Sequence, residues 1–160
     1  MLCISLWQPW ASLWVCSPRE KIHETRDWAV PAKACGRPVL GATIAVHAAK
    51  RLVKGNDLNP VCANICEDAF GCHWERTLPR GAVVGTGRLV ACWKTEARRG
   101  GVDDSELALG DWSDGRYAWQ LADVAPLVRA VPWRGLQGWF EFPEERLAIP
   151  PEPTGQGVLL

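Results

Sequence analysis

A strand passes into a helix near the start of the chain, in the stretch Cys3-Ile4-Ser5-Leu6-Trp7-Gln8-Pro9-Trp10-Ala11-Ser12-Leu13-Trp14. Its apolar beginning, residues 3–6, predicts a short strand. Pro9 suits the first turn of a helix, where a backbone N–H has no partner within the helix, and Trp10, Leu13 and Trp14 follow at helical spacing. The stretch therefore predicts a short helix whose apolar stripe packs on a sheet.

Most of the chain beyond this start has the pattern of strands. Strand-like runs lie at residues 22–26, 39–48, 82–93, 117–121, 128–133 and 139–142. Residues 57–70 predict a helix, and residues 98–114 form a polar excursion that either carries one helical turn or is mobile. Gly85 and Gly87 interrupt the long strand at 82–93 in the way that lets a strand curl around a closing barrel. We therefore expect an α+β fold, a small barrel with a helix beside its mouth.

Length and charge restrict the class of protein. Residues 1–148 predict one domain, and residues 149–160 a Pro-rich tail. The 18 basic side chains balance the 18 acidic ones, so nucleic acid would have to bind a local patch rather than a global field. No apolar run approaches the roughly 20 residues of a membrane span, and the start lacks the pattern of a signal peptide. We expect a cytoplasmic protein with no membrane partner.

The seven cysteines predict reduced thiols, because their number is odd and their spacing irregular. Cys62, Cys66, Cys72 and His73 are close enough in sequence to suggest zinc, but they lack the paired C-x2-C spacing of structural sites. Cys62 and Cys66 are one helical turn apart, where free cysteine acts as a small hydrophobic residue. We favour this interpretation and expect no metal and no other cofactor.

Ten tryptophans, against three phenylalanines and one tyrosine, are the most unusual feature of the composition. Core packing accounts for at least half of them. Others stand beside polar groups, as in Trp7-Gln8-Pro9-Trp10. Flat, rigid side chains next to Lys, Arg and Gln suit a surface that stacks on planar bases and holds phosphates.

Charged residues occupy both faces of the strand predicted at 22–26. A period of two puts Lys21, His23 and Thr25 on one face, and Glu24 and Arg26 on the other. Because charge is costly in an apolar core, at least one face should line a polar groove. The alternative is an exposed edge strand with solvated charges.

Other polar groups stand at strand ends and in loops. His47 and Lys50 close an apolar strand, and Tyr117 follows a glycine-containing turn. Arg134 and Gln137 lie between two tryptophans, where Arg can hold phosphate and Gln can pair with a base edge. A structural histidine and ordinary hairpins are the alternatives.

Six ordered blocks together resemble the ASCH domain family, a branch of the PUA-like superfamily. The three that carry most of the resemblance are Ile4-Ser5-Leu6-Trp7-Gln8-Pro9-Trp10-Ala11, Lys21-Ile22-His23-Glu24-Thr25-Arg26-Asp27-Trp28 and Ile44-Ala45-Val46-His47-Ala48-Ala49-Lys50. The other three, Gly81-Ala82-Val83-Val84-Gly85, Gly115-Arg116-Tyr117-Ala118-Trp119 and Arg134-Gly135-Leu136-Gln137-Gly138, follow in the same order as in the family. The resemblance implies a PUA-like mixed β-barrel of five to six strands with flanking α-helices, and a cleft between the first helix and the barrel.

The resemblance also implies RNA or a nucleotide as the ligand. Some ASCH proteins are similar to metal-supported ribonucleases, and small bacterial members are amidohydrolases of N4-acylated cytidines. In those amidohydrolases a Lys is followed three residues later by a Thr nucleophile, with a Glu as acid and base. Here Glu24 stands three residues after Lys21, and Thr25 comes one later, on the opposite face of a regular strand. A variant in which Glu24 activates water and Lys21 polarises the acyl oxygen is chemically feasible.

Three hypotheses follow. The first is a module that binds single-stranded RNA or a nucleotide in a Trp-lined cleft, with or without weak RNA cleavage. Its candidate ligand-binding residues are Trp7, Gln8, Trp10, Arg26, His47, Lys50, Tyr117, Arg134 and Gln137. The second is an amidohydrolase of N4-acylated cytidine-type nucleosides, with Lys21, Glu24 and Thr25 as catalytic residues. The third is a protein-interaction scaffold that uses the Pro-rich tail. Because the net charge is zero and the Thr is shifted, binding is favoured over catalysis.

Overall fold

The computed structural model describes residues 1–16 and 20–148, so the predicted tail at 149–160 lies outside the described residues. The strands are β1 (Leu2–Gln8), β2 (His23–Arg26), β3 (Lys33–Ala34), β4 (Arg37–Pro38), β5 (Thr43–Leu52), β6 (Ala82–Lys94), β7 (Tyr117–Pro132) and β8 (Trp139–Glu141). The α-helices are α1 (Trp10–Val15), α2 (Pro60–Phe70), α3 (Trp74–Thr77), α4 (Thr95–Arg98) and α5 (Asp104–Ala108). Short 3-10 turns lie at Gly55–Asp57, Arg99–Gly101 and Glu144–Ala148.

Six strands form one mixed sheet in the order β2-β7-β6-β5-β1-β8. The pair β1 and β5 is parallel, and the other four pairs in this sheet are antiparallel. The predicted α+β class is therefore confirmed. Within the described residues no strand pairing joins β2 to β8, so the sheet is open and its predicted closure into a barrel is not confirmed.

The predicted strands at 117–121 and 128–133 are one strand, β7, which pairs along almost all of β6 with three shifts of register. The sequence predicted two strands here because the residues between them include Asp123 and Pro126, which are typical of turns. Asp123 does have a positive φ of 50°, so the turn-like residue is accommodated inside the strand. The hairpin of β3 and β4 was not predicted, since each of its strands has only two residues.

Helix α1 begins directly after β1 and packs on the sheet as predicted. All five residues from Ala11 to Val15 are buried. Trp14 belongs to the main core with Leu6, Val46 and Trp119, whereas Leu13 faces a second cluster. That second cluster contains Cys62, Cys66, Trp74, Leu78 and Leu109, and it joins α2, α3 and the end of α5 to α1.

None of the helices in the described part of the chain is long and apolar enough to cross a membrane.

Candidate ligand-binding cleft

A cleft of about 1120 Å³ lies between β1, the end of β5 and the loop at residues 133–138. It brings together six of the nine predicted ligand-binding residues, which are Trp7, Arg26, His47, Lys50, Arg134 and Gln137. These residues come from four separate parts of the sequence. We call this space the main cleft.

The main cleft is positively charged although the chain is neutral. Arg26, Lys50 and Arg134 line it, and among its described lining residues there is no Asp or Glu. Lys50 and Arg134 are exposed, whereas Arg26 is half-buried. The guanidinium of Arg26 is fixed at the wall, because its Nη2 donates to the Ser5 carbonyl over 3.1 Å and its Nε lies 3.5 Å from Glu24 Oε1. A negatively charged ligand would meet two exposed cations, Lys50 and Arg134, and one cation held against the wall, Arg26.

Trp7 supplies the aromatic surface of the main cleft. Its side chain is 45% exposed, which is unusual for tryptophan, and the Arg51 guanidinium carbon lies 4.0 Å from its ring centroid. Such a cation–π contact holds the ring in place. Trp10 lies beside it in an adjoining cleft of about 220 Å³ that also contacts Glu24 and Arg26. A planar group therefore has a fixed aromatic surface within reach of the cations.

His47 forms the floor of the main cleft together with Ser5. Its Nε2 lies 3.0 Å from the Trp133 carbonyl, and its Nδ1 lies 2.9 Å from Ser5 Oγ. Because a carbonyl only accepts, Nε2 carries the proton and Nδ1 accepts from the Ser5 hydroxyl. Burial lowers the pKa of His47, and the Trp133 carbonyl opposes this only in part, so the imidazole is neutral.

Gly135 packs directly over this pair. A Cβ on Gly135 would lie 2.7 Å from His47 Nδ1 and 2.9 Å from Ser5 Oγ, closer than real Cβ atoms approach. Only glycine therefore lets the loop at residues 133–138 close over the floor of the cleft.

The segment at residues 21–26, which ends with β2, has the predicted alternation. Lys21, His23 and Thr25 are buried, and Glu24 and Arg26 are half-buried and line clefts. The Lys21 side chain is only 1% exposed; its Nζ donates to the Leu109 carbonyl over 2.9 Å and lies 3.3 Å from Glu24 Oε2. β2 does lie at the edge of the sheet, as the alternative interpretation expected, but the charge of Lys21 is buried rather than solvated.

The three predicted catalytic residues meet at a narrower cleft of about 360 Å³. Glu24 and Thr25 line it together with Trp10, whereas Lys21 contacts two of its lining residues, Glu24 and Leu109. The Thr25 hydroxyl oxygen accepts from the Asp111 amide over 2.9 Å. Glu24 is thus the one member of the three that both borders open space and touches a second member.

Two predicted ligand-binding residues are placed elsewhere. Gln8 is fully buried, and its amide bonds to Ser12 and to the Pro79 carbonyl, so it does not reach a base edge. Tyr117 lies on β7, where its hydroxyl accepts from Lys94 Nζ over 3.0 Å, and it is not among the described residues that line the main cleft. In both cases the polar side chain forms a hydrogen bond within the protein instead of facing the main cleft.

Ser5, Trp133, Gly135 and Glu106 have site or supporting roles that the sequence did not reveal. Ser5 faces His47 only because β1 and β5 pair in parallel with these two residues in register. Glu106 accepts hydrogen bonds from the Ile22 and His23 amides and from the His23 ring, which fixes the start of β2. Glu106 is one of five acidic residues in the excursion at 98–114, and nothing in the sequence pairs it with His23.

Cys62 and Cys66 lie as reduced thiols on the buried face of α2, as the helical interpretation predicted. Cys72 is exposed and outside that cluster. Across residues 1–16 and 20–148, no group of three or more His, Cys, Asp or Glu side chains is arranged to hold a metal ion.

No protein-family model and no curated protein matches the sequence. The structure is similar to a crystal structure of ASCH from Zymomonas mobilis, with 18% sequence identity and a TM-score of 0.50, over 92% of this chain and 90% of the other. One mutant of the Zymomonas mobilis protein has 19% sequence identity and a TM-score of 0.49, over 92% of this chain and 91% of the other. A second mutant of that protein has 17% sequence identity and a TM-score of 0.47, over 92% of this chain and 93% of the other. The order of the six sequence blocks and the likeness to the first of these structures lead to one conclusion: the chain has the ASCH-domain fold.

Proposed function

We propose that the protein binds single-stranded RNA or a nucleotide in the main cleft. One observation carries the proposal: an exposed tryptophan and three cations, far apart in sequence, line the same open space. Proteins that bind single strands combine these two elements, aromatic side chains on which bases stack and a positive groove that follows the backbone. The shared fold alone does not choose a ligand, so the chemistry of the cleft supports the proposal.

Each lining group has a role under this proposal. Trp7 stacks on one base, and the Arg51 guanidinium, whose carbon lies 4.0 Å from the centroid of the Trp7 ring, helps to hold that ring in place. Lys50 and Arg134, both exposed, hold phosphates. Gln137 is exposed at the rim, where its amide can both donate to and accept from a base edge.

The test is a titration of fluorescently labelled short single-stranded RNA, followed by anisotropy. Trp7→Ala should weaken binding about fivefold or more, because base–aromatic stacking contributes about 1–3 kcal/mol per base. Trp93→Ala is the matched control, since Trp93 is 41% exposed and does not line the main cleft. Lys50→Ala should also weaken binding, whereas Lys33→Ala, at another exposed lysine, should not. Equal losses in the test and control variants, or no binding by the wild type, would refute the proposal.

Weak RNA cleavage belongs to the same proposal and has its own readout. Labelled RNA incubated with the protein and resolved on a denaturing gel should show fragments that the Trp7→Ala variant produces more slowly. Intact RNA under conditions where RNA is bound would limit the function to recognition.

A second candidate function is hydrolysis of N4-acylated cytidine-type nucleosides. The observation that favours it is the narrow cleft that Glu24 and Thr25 both line, with Lys21 Nζ 3.3 Å from Glu24 Oε2. Glu24 can take a proton from water there. Mass spectrometry of N4-acetylcytidine incubated with the protein tests this, and unchanged turnover by folded Glu24→Gln protein would exclude Glu24 from the chemistry.

A further inference from the structure

Ser5 and His47 form a hydrogen-bonded pair that ligand binding does not explain. They are directly opposite each other in the parallel pairing of β1 with β5, and both line the main cleft. Ser5 Oγ lies 2.9 Å from His47 Nδ1, and His47 Nε2 lies 3.0 Å from the Trp133 carbonyl oxygen. The three groups are thus linked in one chain of hydrogen bonds, from hydroxyl to imidazole to carbonyl.

The direction of these hydrogen bonds is that of an activated serine. The Trp133 carbonyl only accepts, so it keeps the proton on Nε2 and leaves the lone pair of Nδ1 directed at the Ser5 hydroxyl. A nucleophile within hydrogen-bond reach of a base, with that base oriented by a third group, is the general signature of covalent catalysis by a hydroxyl. Burial keeps the imidazole neutral, which leaves Nδ1 free to accept a proton.

We propose that Ser5 is a nucleophile, activated by His47, that takes an acyl group from an ester or amide on a negatively charged molecule and passes it to water. Ser5 Oγ forms a bond to the acyl carbon, and its proton moves to His47 Nδ1. The bond from the acyl carbon to the leaving oxygen or nitrogen breaks, and that atom takes the proton from Nδ1. Water then attacks the acyl-serine, giving up a proton through His47, and releases the carboxylic acid and the free Ser5 hydroxyl.

The negative charge of the substrate follows from the lining of the cleft. Arg26 is held against the backbone of Ser5, its Nη2 3.1 Å from the Ser5 carbonyl, and Lys50 and Arg134 stand at the rim. Ser5 lines both the main cleft and the adjoining cleft beside Trp7 and Trp10, and Gly135, which lies over the pair, is itself part of the lining of the main cleft. This inference takes its class of ligand, an anion with a planar group, from the proposed function. The reaction at Ser5 is what it adds.

The test is labelling of the folded protein with a fluorophosphonate, which forms a bond between phosphorus and an activated serine oxygen and releases fluoride. Peptide mapping by mass spectrometry should place the adduct on Ser5. Ser5→Ala should remove it, and His47→Gln should slow it by at least about 100-fold, because nucleophile and base act as a unit. Ser105→Ala, at an exposed serine of α5, is the matched control and should label like the wild type. Circular dichroism establishes that each variant is folded.

A second readout tests the substrate class. Two nitrophenyl acetates that differ in one ring substituent, carboxylate or trimethylammonium, should be hydrolysed with a preference of about tenfold for the anionic one, since local charge raises the concentration of an opposite ion. This hydrolysis should be lost in Ser5→Ala. Absence of an adduct on Ser5 in the wild type, or an equal rate for the two esters, would overturn the inference.

RNA binding, measured on the same samples, separates this inference from the proposed function. Binding of RNA without labelling of Ser5 would overturn only the nucleophile. Labelling of Ser5 without binding of RNA would overturn only the proposed ligand. Protection of Ser5 from labelling by bound RNA would support both, because it places RNA over the pair.

Discussion

Gln8 shows how one polar side chain can hold two parts of a small domain together. It lies at the end of β1, fully buried, just before helix α1. Its Nε2 donates to Ser12 Oγ and to the Pro79 carbonyl, each over 2.8 Å, and its Oε1 accepts from the Ser12 amide over 3.1 Å. The side chain therefore ties the start of α1 to the turn that precedes β6.

Gln8→Leu should lower the free energy of unfolding by about 1–3 kcal/mol, because it leaves buried Ser12 and Pro79 groups without their partner. Urea unfolding followed by tryptophan fluorescence measures this. Gln137→Leu, at an exposed glutamine, should stay within about 0.5 kcal/mol of the wild type. Equal stability of Gln8→Leu and the wild type would mean that these hydrogen bonds contribute nothing net.

At the scale of single residues, the sequence predicted which side chains are buried better than it predicted which side chains contact each other. The alternation of Lys21, His23 and Thr25 against Glu24 and Arg26 is confirmed, because a period of two follows from strand geometry. The prediction that packing takes at least half of the tryptophans is also confirmed: all but Trp7 and Trp93 are buried or packed against a core cluster. The pairing of Ser5 with His47 depends on the register of two strands far apart in the chain, which no local pattern encodes.

Among the elements, the contact of α1 with β6 is the tightest that the structure shows at a glycine of the sheet. A Cβ on Gly85 would lie 2.7 Å from Val15 Cγ2 and 3.0 Å from the Ala125 carbonyl oxygen. Gly85 lies beside a shift of register between β6 and β7. The predicted role of this glycine in bending the strand is accompanied by a second one, which is to let the helix approach the sheet.

Gly85→Ala should lower the free energy of unfolding by about 1–3 kcal/mol, since the added methyl group must displace Val15 or the backbone of β7. Gly100→Ala is a suitable control, because no atom lies within 4 Å of its Cβ position. That control should be unchanged or up to about 1 kcal/mol more stable, through the loss of freedom in the unfolded chain. Thermal unfolding of both variants measures the difference, and a stable Gly85→Ala protein would show that α1 can shift without penalty.

Glu106 joins α5 to the start of β2, two elements that are far apart in sequence. Burial raises the pKa of its carboxyl, but the hydrogen bond from His23, the Ile22 amide and the charge of Lys21 outweigh burial and hold the pKa below its ordinary value of 4.5. A carboxyl whose pKa is lower in the folded state stabilises the fold above its unfolded pKa. That contribution is lost as the pH falls from about 4.5 through the folded pKa.

Glu106→Gln should therefore be less stable than the wild type by about 1–3 kcal/mol near neutral pH, and this difference should shrink as the pH falls below about 4.5. Urea unfolding at a series of pH values measures both effects. Glu145→Gln, at an exposed glutamate, should follow the wild type throughout. A difference between Glu106→Gln and the wild type that stays constant with pH would mean that the carboxylate charge is not what joins α5 to β2.

The elements themselves were predictable where their patterns were long. The starts of β1, α1 and β6 agree with the sequence to within one residue. The excursion at 98–114 was predicted to carry one helical turn or to be mobile; it contains the 3-10 turn Arg99–Gly101 and the five-residue helix α5, which supplies Glu106. Short helices made of Asp, Ser and Gly are hard to predict, because tertiary contacts rather than propensity hold them.

On the scale of the whole molecule, zero net charge and a charged cleft coexist because the charges are segregated. Asp and Glu pair with Arg at several exposed positions, such as Arg88 with Asp123 and Arg99 with Asp114. Lys50 and Arg134, in contrast, stand over the main cleft, where no described Asp or Glu is part of the lining. The sequence predicted that any nucleic-acid site must be local; only the fold could bring its members together.

The salt dependence of RNA binding tests this local patch. Three phosphate contacts by Arg26, Lys50 and Arg134 should give a slope of about −2 for log K against log salt, since each contact on a single strand contributes about −0.7. Lys50→Ala and Arg134→Ala should each make the slope less steep by about 0.7, whereas Lys33→Ala should leave it unchanged. Titrations at several salt concentrations measure the slopes. A flat wild-type response would contradict phosphate binding and would point instead to an uncharged nucleoside, whose affinity owes nothing to released counterions.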